Sequence, residues 1–335
     1  MDSSSTKQQP IDTEGKDLPR IAILVLNWNS YTYTHTCLQS LKQCTQGLFQ
    51  VIVIDNHSSD GSVDQLEKEN PEVIFLRNQE NLGFTGGNNV GIEYALKEGY
   101  EFIMLLNNDT EVQSNFLEPL LKVLDEHPEV GAVQPKMMYN HDRKLIWNAG
   151  GMFRKWLCLP VSLGAEKQDH PRYDVPKQVD WITGCCILTR SEIVKRVGGQ
   201  DESFFYGYDD VDWSFRLKED SKNSLYYEPA SVIFHDAGVA GRNEQGNKEG
   251  FLKPFVHYFY VRNNIFILRR YASLLFFPTI FLFHVGKFSG YLVYFLLRRR
   301  FRKFSATIAG VKDGLSLNMQ GPIDHLGAIK KFSLR

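Results

Sequence analysis

The chain has 335 residues, 43% hydrophobic and 23% charged. That is ordinary globular composition and excludes wholesale disorder, collagen and coiled coil. At roughly 150 residues per domain the length predicts about two domains, or one with an appendage. The 38 Lys and Arg against 39 Asp and Glu leave a net charge of -1, so there is no global basic field for nucleic acid. Cys37, Cys44, Cys158, Cys185 and Cys186 form no CxxC pair. Their odd number argues against a disulfide framework or a structural zinc site and fits a reducing cytosol.

Residues 1–19 are almost without apolar side chains and read as a flexible tail, not a secretory signal. IAILVLNW (Ile21 to Trp28) is a continuous apolar run of the kind that a strand buried on both faces needs. Thr32 to Lys42 follows with Leu38 and Leu41 at helical spacing, and VIVID (Val51 to Asp55) predicts a second buried strand. The alternation continues through VIFL near residue 73, a helix from Asn88 to Glu98, FIMLL from Phe102, and a helix from Asn115 to Glu126. Alternating apolar strands and amphipathic helices predict an α/β fold with a doubly wound, mostly parallel sheet, whose ligands sit beyond the carboxyl ends of the strands.

After residue 135 the rhythm loosens, leaving the isolated strands CCILT (Cys185 to Thr189) and ASVIF (Ala230 to Phe234). From Phe251 to Arg335 the composition shifts to a helical region, separate from the domain of residues 20–250. Leu274 to Leu297 is long enough to span a bilayer, but Pro278, His284, Lys287 and Ser289 interrupt it. RRRFRKF follows at once, so the favoured expectation is a helix lying in the membrane interface with basic residues on anionic head groups. The plain alternative is a soluble helical subdomain packed on the core.

Three polar clusters close the apolar strands: Asn27-Trp28-Asn29, Asp55 to Gly61, and Asn107-Asn108-Asp109. One such cluster is usually a turn; three at one sheet edge point to a site. Asp55 stands where a carboxylate can accept from a ribose hydroxyl or a base N–H. The glycines of NLGFTGGNN (Asn81 to Asn89), opening a helix, predict a neighbouring nucleotide diphosphate. Asp109 is a candidate ligand for Mg2+ or Mn2+, which takes one or two carboxylates plus phosphate oxygens. His235 is either a further ligand or a structural histidine.

A fourth cluster, FFYGYDDVDW (Phe204 to Trp213), crowds Asp209, Asp210 and Asp212 among aromatics. Desolvation and like charge raise carboxylate pKa values, which suits a general base. Asp209 or Asp212 could equally cap a helix. Trp181, Phe205, Tyr206 and Trp213 either stack on a sugar or fill core.

LVLNWN, VIVIDNHSSDGS, NLGFTGGNNVGI, LLNNDT, ITGCCILTR, VGGQDESFFYGYDDVDWSFRL and VIFHDAG, in this order, resemble glycosyltransferase family 2, particularly its rhamnosyltransferase-like members. The resemblance runs from Arg20 to Gly238 and continues more weakly through YVRNNIFILRRY. It implies a GT-A type fold and inverting sugar transfer from a nucleotide-diphosphate sugar. It places nucleotide contacts on Leu26, Asn27 and Asp55 and a divalent cation on Asp109 and His235, and Asn29, Gly83, Phe84, Asn88 and Asn108 are further nucleotide-binding candidates. The catalytic acids fall on Asp209 and Asp210, with Asp210 as base, and sugar or acceptor contacts on Trp181, Gly184, Tyr206 and Trp213. Asparagines at 107 and 108 leave Asp109 as the only carboxylate of the metal motif, and Asp209 stands where glutamate is usual.

Two other functions compete. A sugar nucleotidyltransferase would want glycines and basic residues after the first strand, and LNWNSYTYTH has neither. A membrane-associated nucleotide-sugar-binding protein with weak catalysis fits the Asn-Asn-Asp motif but not an intact Asp209-Asp210 pair. The expected acceptor is a saccharide or lipid-linked saccharide at the cytoplasmic face of the membrane, as in polysaccharide or cell-wall assembly.

Overall fold

The computed structural model describes residues 19–45, 47–221, 223–237 and 248–333; the tail expected over residues 1–19 lies almost wholly outside them. The first half alternates as β1 (Ile21–Asn27), α1 (Tyr31–Leu41), β2 (Phe49–Asp55), α2 (Ser62–Glu69), β3 (Ile74–Arg77), α3 (Gly83–Glu98), β4 (Phe102–Asn107), β5 (Thr110–Val112) and α4 (Leu117–Glu126). The second half brings β6 (Val130–Tyr139), β7 (Leu145–Asn148), β8 (Gly151–Arg154), β9 (Leu159–Ser162), β10 (Lys167–Gln168), β11 (Lys177–Val179), β12 (Cys186–Arg190), α5 (Ser191–Val197), α6 (Asp209–Ser221) and β13 (Ser224–His235). Helices α7 (Pro254–Tyr271), α8 (Phe277–Leu297), α9 (Phe301–Ser316) and α10 (His325–Phe332) follow.

The main sheet runs β10-β7-β6-β12-β4-β1-β2-β3. Strands β3, β2, β1 and β4 are parallel, as the alternation of strands and helices requires. Beyond β4 the sheet becomes mixed: β12 enters antiparallel to both β4 and β6, and β13 lies parallel to β6. Strand periodicity divides β1 between two cores. Ile21, Ile23 and Val25 face α1 and α4, while Ala22 and Leu24 face Ile92 and Ala95 of α3 and Trp213 and Leu217 of α6. Each fully buried aliphatic side chain contributes about 1.5–3 kcal/mol, which is why β1 carries no polar residue before Asn27.

Helix α3 starts at Gly83, five residues before the sequence-based start at Asn88, because the glycine run is part of the helix. A Cβ at Gly87 would fall 2.5 Å from Leu26 Cδ1, and one at Gly91 would fall 2.7 Å from Ile54 Cδ1. Two glycines one turn apart let α3 lie close on β1 and β2. Packing therefore outweighs the helix-breaking tendency of glycine.

The composition change at Phe251 is not a break in packing. Phe204 and Val211 share one apolar cluster with Phe266 and Ile267 of α7 and Ile280 of α8.

Replacing Gly91 by valine should lower the unfolding free energy by about 2 kcal/mol, since overpacking exceeds the small gain in helix propensity. Urea denaturation measures this; an unchanged midpoint would contradict the close packing.

Candidate active site

The carboxyl ends of β1, β2 and β4 lie side by side: Asn27 is in register with Asp55, and Leu26 with Asn107. Side chains tie these ends together. Asn27 Nδ2 donates to Asp55 Oδ1 at 3.1 Å and reaches Ser62 Oγ at 3.1 Å. Thr34 Oγ1 donates to Asn27 Oδ1 at 2.8 Å and accepts from Asn108 Nδ2 at 2.9 Å. Asp55 also accepts the Ser58 N–H at 3.1 Å. Each carboxylate oxygen so uses one acceptor position and keeps capacity for a ligand. Asn29, left-handed at φ 48°, accepts the Ser59 N–H at 2.8 Å and joins the two loops.

Asn56, not among the candidates from sequence, organises the entry to α3. Its amide donates to Asn81 Oδ1 and Gly83 O, and its Oδ1 accepts from Leu82 N at 3.0 Å. The N–H of Gly83 donates to Asn81 Oδ1, and those of Phe84 and Thr85 to Phe205 O. All four donors of the first turn of α3 are thus satisfied by the chain itself. The N–H groups of Gly83 and Phe84, expected from the sequence to meet the nucleotide, are engaged within the chain in this structure. The glycines serve packing, since a Cβ at Gly83 would fall 2.4 Å from the Phe205 ring.

Strands β5 and β13 pair so that His235 lies opposite Thr110. This brings His235 Nε2 to 3.1 Å from Asp109 Oδ1. Neither atom makes a hydrogen bond, and His235 Nδ1 has no partner either. Trp147, unnoticed in the sequence, holds the imidazole edge-on with ring centroids 4.3 Å apart. Two buried atoms that approach without bonding to each other form a donor set suited to a cation. Among the described residues no group of three or more His, Cys, Asp or Glu could hold a metal. The protein therefore offers two ligands, and a diphosphate would have to supply others.

The acid pair joins this edge through the lead into β12. Asn107 N donates to Cys185 O at 2.8 Å, and the adjacent Gly184 N donates to Asp210 Oδ2 at 3.0 Å. Asp209 is 3% exposed and accepts from Gln200 Nε2 at 2.9 Å, while Gln200 accepts from Asn88 Nδ2 at 3.3 Å. Asp210 is more open. Burial, with the Asp210 charge as the second cause, pushes Asp209 up to about 8. Burial also raises Asp210, opposed by the Gly184 and Val211 N–H groups. Burial raises the Tyr206 phenol well above its ordinary value, and Tyr260, Asp109 and Asp209 add to that effect.

The turn before α6 is bent unusually, with Phe205 at φ 62°, Gly207 at 81° and Tyr208 at 66°. Helix α7, to which the sequence assigned no role, holds it. Arg262 Nη2 donates to Ser203 O at 2.9 Å and Phe204 O at 2.8 Å. Asn263 Nδ2 reaches the carbonyls of Phe204, Tyr206 and Gly207 at 2.8–2.9 Å. Asp212 is fully buried and bound by Arg216, Arg270 and Tyr271, which makes it a structural carboxylate.

Two aromatic candidates are corrected. Trp213 is 0% exposed and donates to Gly198 O within the core. Trp181 is buried with its indole N–H on Met152 O. Neither ring face is free for a sugar.

A mixed α/β sheet with polar clusters at its parallel strand ends and an acid pair beside them is the architecture of a GT-A glycosyltransferase. The family model for glycosyl transferase family 2 matches residues 22–198, and the chain belongs to that family. It is 23% identical over 253 residues to the low-salt glycan biosynthesis hexosyltransferase Agl10 of Haloferax volcanii, covering 74% of this chain and 77% of that protein. It is 26% identical over 243 residues to the N-acetylglucosaminyl-diphospho-decaprenol L-rhamnosyltransferase of Mycobacterium tuberculosis, covering 67% and 78%. In fold it is similar to GalNAc-T7 solved with UDP, GalNAc and Mn2+, at TM-score 0.54 and 15% identity, over 75% of this chain and 51% of that one. It is similar also to the mannosyltransferase PcManGT of Pyrobaculum calidifontis with GDP-Man and Mn2+, at TM-score 0.51 and 13% identity, over 97% and 82%.

From the ordinary aspartate value of 3.8 up to about 8, the folded chain holds a proton at Asp209 that the unfolded chain has lost. This contribution to stability is complete below the lower value and disappears as pH rises through the upper one. The melting temperature should therefore fall between about pH 5 and about pH 8, and Asp209→Asn should flatten that slope. Calorimetry across the range checks it; parallel profiles for both proteins would refute it.

Proposed function

We propose that this glycosyltransferase moves a hexose, with rhamnose as the first candidate, from a nucleotide-diphosphate sugar to a saccharide or lipid-linked acceptor with inversion at the anomeric carbon. The observation that carries this is the unbroken set of contacts from Asp55 through Asn27, Thr34 and Asn108 to the Asp109 edge, and from Asn107 through Cys185 and Gly184 to Asp210. Names of relatives support the details. One is an N-acetylglucosaminyl-diphospho-decaprenol L-rhamnosyltransferase, and two fold neighbours were solved with nucleotides and Mn2+.

Asp55, with Asn27 and Asn29 arranging its loop, takes the nucleoside. The exposed Trp28, at 42%, offers an indole face beside it. Asp109 and His235 would hold a divalent cation, which when bound offsets negative charge on the departing diphosphate. Asp210, more open than Asp209 and fixed by the Gly184 N–H, accepts the proton of the acceptor hydroxyl. The acceptor oxygen bonds to the anomeric carbon as the bond from that carbon to the diphosphate breaks on the opposite face. Asp209 stays buried and keeps its proton below about pH 8, so the pair carries one negative charge instead of two.

Residues 20–250 form the catalytic domain in this account, and residues 251–335 support it and contact the membrane peripherally at its cytoplasmic face. Leu274, Leu275, Leu282 and Leu297 are 90%, 79%, 71% and 77% exposed. Within Leu274–Leu297 only Ile280, His284 and Phe295 are buried, and the cationic run 298–303 adjoins it.

Asp210→Asn should lower turnover by about 10²–10⁴-fold while leaving the Kd for the nucleotide diphosphate within about twofold of wild type. Wild-type turnover in this variant would remove Asp210 as base. Asp109→Ala should abolish Mn2+-dependent thermal stabilisation by the nucleotide diphosphate, measured by melting with and without the metal. Stabilisation that persists would place the cation elsewhere.

A further inference from the structure

Behind the turn that carries the acid pair, helices α7, α8 and α9 enclose a cavity of about 310 Å3 whose lining includes Tyr208, Tyr260, His257, Tyr291, Lys287 and Lys303. Two lysines in one apolar enclosure are unusual, because a desolvated ammonium without a counter-charge is unfavourable. Lys303 is 5% exposed, and Lys287 is half-buried with its Nζ donating to Asn264 Oδ1 at 3.2 Å. Among the described residues neither ammonium has a carboxylate within salt-bridge distance. The Glu249 carboxylate acts on Lys303 from beyond salt-bridge distance, and its oxygens also accept the backbone N–H groups of Arg302 and Lys303.

The other groups facing the lysines do not neutralise them. His257 bonds to Thr307 Oγ1 at 2.9 Å, and burial together with Lys303 and Lys287 holds it down to about 3. Arg300 adds positive charge near Lys303. Asn264 is fully buried and its Nδ2 has no partner. The cavity thus presents two ammonium groups, with Glu249 as the carboxylate that acts on one of them.

Its position has two further features. Tyr208 and Tyr260, with rings 6.2 Å apart, form the wall toward the acid pair, and the Asp210 charge acts on both phenols. On the other side the lining includes Phe288 and Tyr294 of α8, a helix that also carries the exposed apolar residues Val293 and Leu297. An anion held by the lysines would have reacting groups on one side and an apolar surface on the other.

We propose that this cavity is the acceptor's anchor: Lys287 and Lys303 bind the phosphate or diphosphate of a lipid-linked saccharide, whose hydrocarbon chain lies along the exposed face of α8. This rests on the glycosyl-transfer function above. It adds to that function the subsite that selects an anionic, lipid-linked acceptor over a free sugar. The charge is matched by the lysines and the chain by the exposed apolar residues of α8, so the lipid-borne phosphate is preferred to a free one.

The test uses the full chain with three probes: farnesyl diphosphate, farnesol and inorganic pyrophosphate, each by titration calorimetry. Farnesyl diphosphate should bind at least about tenfold more tightly than either other probe, and Lys287→Met and Lys303→Met should each weaken it by about tenfold or more. Both variants should melt at or above the wild-type temperature, because each removes a buried unpaired charge; this separates loss of a ligand from loss of the fold. Equal binding of pyrophosphate would make this a site for free phosphate, and equal binding of farnesol would make it merely greasy. Either result overturns the proposal, as does unchanged farnesyl diphosphate affinity in both variants. The two accounts fail separately. A wild-type chain that hydrolyses nucleotide sugar with Mn2+ but does not bind farnesyl diphosphate loses the anchor alone, and one that binds it without any hydrolysis loses the transfer function.

Discussion

A charged guanidinium buried against main-chain carbonyls holds the turn before α6 in place. Arg262 is 0% exposed, and among the described residues no carboxylate pairs with it. It is accommodated by donating to Ser203 O, Phe204 O, Asn263 Oδ1 and His325 Nδ1, and by the ring of Phe259 at 4.7 Å. Burial lowers it to about 10, so it remains a cation at neutral pH. His325, which burial and Arg262 lower to about 4, stays neutral and is stacked on Phe205 with centroids 4.7 Å apart. Aromatic residues in left-handed backbone cost about 1–3 kcal/mol each, and the donors of Arg262 and Asn263 offset that cost at Phe205 and Tyr208. The carbonyl of Phe205 then caps α3, and the residues that follow the turn deliver Asp209 and Asp210.

Two halves meet at that turn. The parallel half, β1 to β4, holds Asp55 and the Asp109 edge through amide and hydroxyl side chains that need no charge. The mixed half, β6, β12 and β13, supplies His235 and the Gly184 N–H. Helix α7 joins them from outside the sheet. The C-terminal region is for this reason part of the site's framework, whatever its relation to a membrane.

Much of the parallel half was legible because burial on both faces leaves a plain signal: IAILVLN and VIVID admit no polar residue until Asn27 and Asp55. The polar clusters were legible by the same contrast, and their convergence followed from sheet geometry. The function of the glycines in α3 was not, since close helix-to-sheet packing and phosphate binding call for the same residue. Trp181 and Trp213 were ambiguous because aromatics serve cores and sugars alike, and only burial separates the two. Arg262 and Asn263 do carry a signal in the sequence: three polar residues, Arg262 to Asn264, in the middle of an otherwise apolar helix need buried partners. Trp147 carried none, as its contact with His235 depends on the pairing of distant strands.

The most direct test of this account is Asn263→Ala, measured as turnover and as nucleotide-diphosphate affinity in the same protein. Loss of a buried amide that serves three carbonyls should loosen the turn and reduce turnover by about tenfold or more. The strand ends that hold Asp55 do not touch that amide, so affinity should stay within about twofold of wild type. Turnover and affinity falling together, or turnover unchanged, would contradict the claim that α7 positions the acid pair independently of the strand ends around Asp55.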